Sequence, residues 1–199
     1  MRAVKASVCL VLLLAGCGGL LHETTPTVWL ALEPPPAVGG LRTGGSSLEV
    51  LAFATAAPFA TDRVVSREGA SRWSFAAYHR WIAEPGEMVA ARLREALSRA
   101  DLFKAVITPP ALLDADWRLG GAVRALYWDR ENRSAVLEVE VSLVQTPDRL
   151  CGFWVHHAAV PVSGDTVEAF LAAASTAEGQ VFAALRDDLA AALAAAPAR

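Results

Sequence analysis

Between Asp116 and Val162 apolar residues recur at every second position, the spacing of strands with one buried face. Trp117, Leu119, Val123 and Tyr127 mark the first strand, Leu137, Val139, Val141 and Leu143 the second, and Phe153, Val155 and Ala159 the third. Thr146-Pro147-Asp148-Arg149 has turn chemistry, with proline in second place. The stretch therefore predicts a three-stranded antiparallel meander. Glu138, Glu140 and Ser142 occupy the other face of the second strand, so part of the sheet meets water or a partner.

Shorter apolar runs predict strands over Val28–Leu32, Leu48–Phe53 and Phe103–Ile107. Pro34-Pro35-Pro36 stops the first, a Gly-rich turn region from Gly39 to Ser47 precedes the second, and Pro109-Pro110 ends the third. Arg63–Arg67 and Arg72–Phe75 flank Glu68-Gly69-Ala70-Ser71, a hairpin whose glycine permits positive φ.

Two segments change to helical spacing. Val89, Leu93, Ala96, Leu97 and Ala100 follow Pro85, which suits a first helical position because its missing amide proton would be unpaired there. Arg92, Arg94, Glu95 and Arg99 fall on the other faces. Near the end Val167, Phe170, Leu171, Ala174, Val181, Leu185, Leu189 and Leu193 keep one face. Asp165 with Glu168 suggests a capping arrangement, and Gly179 weakens or kinks the middle at about 1 kcal/mol.

The first residues have a different pattern. Arg2 and Lys5 precede an apolar run from Ala6 to Leu14, and Leu14-Ala15-Gly16-Cys17 closes it. This is the anatomy of a secretory signal. About nine apolar residues span roughly 14 Å as a helix, too little to cross a bilayer. The closing four residues resemble the bacterial lipobox, which implies cleavage after residue 16, a diacylglyceryl thioether on Cys17 and an acylated amine. Three acyl chains on one residue would anchor the chain durably, since each buried methylene contributes about 0.8 kcal/mol. Residues 1–16 are thus the expected signal peptide, 17–27 a lipidated tether without periodicity, and 28–196 the domain.

Losing Arg2 and Lys5 leaves 16 basic against 21 acidic residues, a net charge of about −5. That balance argues against nucleic acid as a partner, because phosphate binding needs an excess of basic groups. Cys9 leaves with the signal and Cys17 is taken by lipid, so Cys151 has no partner for an intramolecular disulfide.

No nucleotide, nucleophile-elbow or metal signature is present. The remaining histidines are His22, His79 and the adjacent His156 and His157. Neighbours on a strand point to opposite faces, so His156 and His157 do not share a metal, and Cys151 with His156 falls on opposite faces too. No catalytic residue, cofactor or metal is expected, and the chain reads as a binding module and not an enzyme. Two surfaces are candidates for a partner: the polar face at Glu138 and Glu140, and the aromatic stretch holding Trp73, Tyr78, Arg80 and Trp81. The other reading of the aromatic stretch, and the one its composition favours, is a strand end packed into the core.

Several segments in order resemble the ABC-type transport auxiliary lipoproteins, a family that includes the paraquat-inducible lipoprotein C. They are Val28–Pro36, Tyr78–Pro85 with the helix after it, Leu102–Val106, Asp114–Gly121 and the final Ala/Leu-rich helix. The family pattern often has two prolines where this chain has Pro85-Gly86. The resemblance implies an α/β fold, a three-layer sandwich with a mixed, partly antiparallel sheet in a single domain. It also implies work alongside a permease, an ATPase and a protein with mammalian-cell-entry (MCE) domains, which move lipid or other apolar molecules between membranes. Homo-oligomers are a further expectation. Gly18 is not the aspartate that retains lipoproteins in the inner membrane, so the periplasmic face of the outer membrane is the expected location. An alternative class is a tethered lipoprotein that activates a cell-wall enzyme or assists outer-membrane assembly.

Overall fold

The computed structural model describes residues 25–33, 45–109 and 114–196. Its elements in chain order are β1 (Val28–Leu30), β2 (Ser47–Val50), β3 (Ala54–Thr55), β4 (Arg63–Glu68), β5 (Arg72–Trp81), α1 (Pro85–Arg99), β6 (Ala105–Ile107), β7 (Trp117–Asp129), β8 (Ser134–Gln145), β9 (Arg149–Pro161) and α2 (Val167–Ala195). The expected α/β domain with a mixed sheet is present. The predicted meander is β7–β8–β9, paired antiparallel from Trp117↔Gln145 and from Ser134↔Pro161.

β7 is the axis of the nine-stranded sheet. Along one side it pairs with β8; along the other it takes β2, β3 and β4 in turn, all parallel. β6 lies beyond β2, while β5 and then β1 lie beyond β4. β9 therefore forms one edge of the sheet, and β1 lies at the opposite side.

Both helices cover the same face. α1 buries Met88, Val89, Leu93, Ala96 and Leu97; α2 buries Phe170, Ala174, Ala177, Val181, Phe182, Leu185 and Leu189. Phe170 lies between Trp128, stacked on it at 5.4 Å, and Trp81 at 6.2 Å. Arg92 of α1 donates from Nε to both carboxylate oxygens of Glu178 of α2, at 2.8 and 2.7 Å, and from a terminal nitrogen to the Leu32 carbonyl at 2.9 Å. Among the described residues the buried cluster of the far face is small: Phe59, Val65, Tyr127 and Val136, with Trp73 and Ala125 against it. Of the three layers expected, the third is thus reduced to this aromatic cap.

Three local expectations change. The alternation of Trp117, Leu119 and Val123 does not extend to Tyr127, because Arg124 is an extra residue between the pairs Val123↔Val139 and Ala125↔Glu138. That bulge sends Leu126 and Trp128 to the helix face and Tyr127 to the far face. On β9 the face of Phe153, Val155 and Ala159 is exposed, while Trp154 and Ala158 pack toward the helices. The cap of α2 is Thr166, whose hydroxyl accepts from the Ala169 amide at 3.2 Å; Asp165 instead pairs with Arg130. α2 runs as one helix through Gly179.

The departure at Pro85-Gly86 has a steric cause. α1 starts at Pro85, and the Gly86 amide donates to Thr55 Oγ1 at 2.8 Å. A Cβ on Gly86 would lie 2.4 Å from the Phe53 carbonyl oxygen and 2.7 Å from that of Ala54. A second proline would meet that backbone and lose the amide donor.

Candidate functional site

The open face of β8 and β9 is built by regular pairing from Glu138 to Ser142. Ser142 lies beside Phe153, Glu140 beside Val155 and Glu138 beside His157. Phe153 is 56% exposed, Val155 52% and Leu150 61%. Arg124 reaches Glu140 at 3.5 Å and His157 lies 3.6 Å from Glu138. The surface is an apolar strip bordered by charge, and among the described residues β9 pairs with β8 alone, at an edge of the sheet.

Glu138 and Glu140 therefore stand where the pattern put them, half-exposed on a sheet face. The aromatic stretch divides. Trp81 is 1% exposed and belongs to the core beneath Phe170, so it is not a partner anchor. Trp73 is half-buried in the far-face cap, 5.6 Å from Phe59 and 5.1 Å from Tyr127. Burial pushes the Tyr127 phenol up, and Arg67, 5.1 Å from its ring centroid, pulls it partly back. Arg80 is tied to Asp62 at 2.5 Å, and Tyr78 stays exposed. These residues do not form one surface with Glu138 and Glu140, which lie across β7 from β4 and β5.

His156 and His157 do point to opposite faces: His156 meets Asp188 of α2 at 3.2 Å. Cys151 does not lie opposite His156 as alternation predicts. It is an extra residue between Leu143↔Gly152 and Val144↔Leu150, and it lines a shallow hollow with Ala192 and Ala195, so it shares the side of α2 with His156. Among the described residues no three His, Cys, Asp or Glu side chains are placed to hold a metal. Cys17 and most of the tether lie outside the described residues.

Phe153, Val155 and Leu150 are the site residues that pattern reading missed. Their exposure follows from β9 having apolar residues on both faces.

Fold and surface define an α/β body that leaves one sheet face largely open. The chain belongs to the family of ABC-type transport auxiliary lipoprotein components, whose profile matches residues 30–195. A crystal structure of a Xanthomonas campestris protein is similar, with a TM-score of 0.73 at 18% identity over 83% of this chain and 96% of that one. A second solved structure, of a protein described only as uncharacterised, has a TM-score of 0.66 at 13% identity, covering 83% and 99%. A hypothetical protein from Chlamydia trachomatis gives 0.57 at 8% identity, covering 77% and 100%. At such identities the likeness concerns the fold. No curated protein matches the chain. Family membership implies a membrane-associated, periplasmic protein that serves an ABC-type transport system.

Proposed function

We propose that this chain is a lipid-anchored adaptor that holds a periplasmic transport partner near the outer membrane and catalyses no reaction itself. The observation that carries the reading is the family match across residues 30–195. Lipid on Cys17 supplies the anchor. The partner is the MCE-domain protein that works with a permease and an ATPase, and the cargo class is lipid or another apolar solute.

The docking surface in this reading is the open β8–β9 face. Exposed Phe153, Val155 and Leu150 offer apolar area in one strip, and Glu138, Glu140 and Arg124 rim it. Aromatic residues in a polar border are what a protein interface needs. Confinement by the tether raises the effective concentration, so weak contacts suffice.

Crosslinking in cells tests the proposal. Glu138→Lys with Glu140→Lys, and separately Phe153→Asp, should reduce adducts with the transport partner while thermal melts stay close to wild type. Undiminished crosslinking in these folded variants would reject this face. Wild type that crosslinks to no transport component while the operon is expressed would reject the adaptor itself. Abolished transport in a folded His156→Ala or Cys151→Ala variant would point back to catalysis.

A further inference from the structure

The transport reading leaves unused an exposed aromatic patch at the β1 side of the sheet. Trp29 is 59% exposed, Ile82 65%, Tyr78 47% and Val28 44%. Parallel register sets Trp29 opposite Arg80, and the Ile82 amide donates to the Leu30 carbonyl at 2.9 Å, which brings Trp29 and Ile82 to one corner. The pairing with β1 puts Arg80 on the face that Trp29 shares, and Tyr78 lies exposed two residues before it, next to the shift in the β4–β5 register. Ile82 borders a largely apolar hollow of about 270 Å³, lined also by Ala31, Leu32, Ala83, Met88 and Ala91, with Glu87 and Arg92 at it too.

Three observations identify what covers this corner. Only residues 18–27 separate Cys17 from Val28, and ten residues reach at most about 36 Å however they are arranged. A domain of about 170 residues has a radius of gyration near 15 Å. The tether is thus no longer than the body is wide, and connectivity keeps β1 within that reach of the lipid. The chemistry agrees: Trp and Tyr have apolar bodies with one polar handle, and Arg63, in register with Arg80, adds a cation suited to lipid phosphate, the Arg80 guanidinium itself being held by Asp62. The topology agrees as well, because β9 lies five strand spacings from β1, about 24 Å at the usual separation.

We propose that the corner of Trp29, Tyr78 and Ile82 rests in the headgroup layer of the bilayer to which Cys17 is attached, and that this contact turns the β9 edge toward the periplasm. The proposal rests on the lipid anchor of the preceding section and adds an orientation to it. Each anchored molecule then presents the β8–β9 face away from the lipid, where a partner can reach it.

Fluorescence of the full-length lipidated protein tests this in phosphatidylethanolamine–phosphatidylglycerol vesicles with plain or brominated acyl chains. Trp81, Trp117 and Trp128 are buried and Trp73 and Trp154 half-buried, which leaves Trp29 as the exposed tryptophan. Bromination should quench part of the wild-type emission, and Trp29→Phe should lose that quenched part. Equal quenching in both proteins, or none in either, overturns the proposal. Flotation separates the two readings: protein that does not float overturns anchor and contact together, whereas protein that floats unquenched overturns the contact alone. Benzoylphenylalanine introduced at Ile82 in cells addresses the competing occupants. An adduct with a protein, including a second copy of this chain, overturns the membrane contact, and irradiation without a protein adduct supports it.

Discussion

Asp129, at the end of β7, is 2% exposed and accepts from the Asn132 amide at 3.1 Å, from Asn132 Nδ2 at 2.9 Å and from Arg67. Burial, the largest single influence, pushes its carboxyl up, but the bonds from Asn132 and Arg67 together outweigh it and hold the group below the ordinary aspartate range. A native pKa below the unfolded one means that the unfolded chain binds the proton better. The contribution of Asp129 is therefore present above the ordinary value, near 3.9, and lost as pH falls through the lowered one. Glu178 behaves in the opposite sense. It is fully buried, and burial raises its carboxyl while Arg92 draws it only partly back. Its contribution is full below the ordinary glutamate value, near 4.3, and declines as pH rises through the raised one. Arg92→Ala would leave this carboxylate without its partner, a change that costs about 3–5 kcal/mol when the charge persists. Thermal melts should show a large deficit for Arg92→Ala near neutral pH that narrows in mild acid as Glu178 takes up its proton. A deficit independent of pH would show that Glu178 is not ionised in the native pair. Asp129→Asn should instead lose stability at neutral pH and converge with wild type only in strong acid.

At the scale of elements, the bulge at Arg124 decides which rings lie on which face. The Arg124 side chain is about half exposed and touches Glu140 only at 3.5 Å, so its truncation removes little. Its backbone matters more. Deleting the residue would return β7 to strict alternation, taking Tyr127 out of the stack with Phe59 at 5.7 Å and Trp128 off Phe170. Arg124→Ala is expected to melt near wild type and the deletion to melt far below it or fail to fold; a deletion variant as stable as wild type would show that the register is held elsewhere. The same strand shows what was legible in the sequence. β7, β8, α1 and α2 could be read because each buries one face against a single core, which imposes a period. On β9 Trp154, Ala158 and Val160 alternate as well as Phe153, Val155 and Ala159, so the pattern marked a strand without telling its inner face. A bulge has no residue signature, so strict alternation places Tyr127 with the core residues of β7 and Cys151 opposite His156, and the structure reverses both relations. Asp165 and Thr166 are both cap formers, and only the structure separates them. The burial of Trp81 depends on Phe170, far along the chain, and that contact is set by topology and not by local composition.

Over the described molecule the candidate functions sort by direction: β1 is the first strand, the helices fill one face, and the edge strand β9 lies across the sheet. No helix among the described residues is long and apolar enough to cross a membrane. In the proposed reading Cys17 supplies attachment, and the docking face needs only weak affinity because every body is confined to the same thin layer as its partner. That division of labour predicts how loss of the lipid is felt. Cys17→Ser should leave a chain without the diacyl mass, and a cleavable signal placed directly before residue 18 should release the body from membranes with its melting temperature unchanged. Crosslinking to the transport partner should then fall steeply at native abundance and recover when the soluble body is overproduced, because concentration can replace tethering for a weak site but not for a missing one. Mass spectrometry, membrane fractionation and crosslinking at two expression levels measure each step. If the lipid-free body crosslinks and supports transport as wild type does at native abundance, the tether contributes no effective concentration and the affinity must reside entirely in the folded surface.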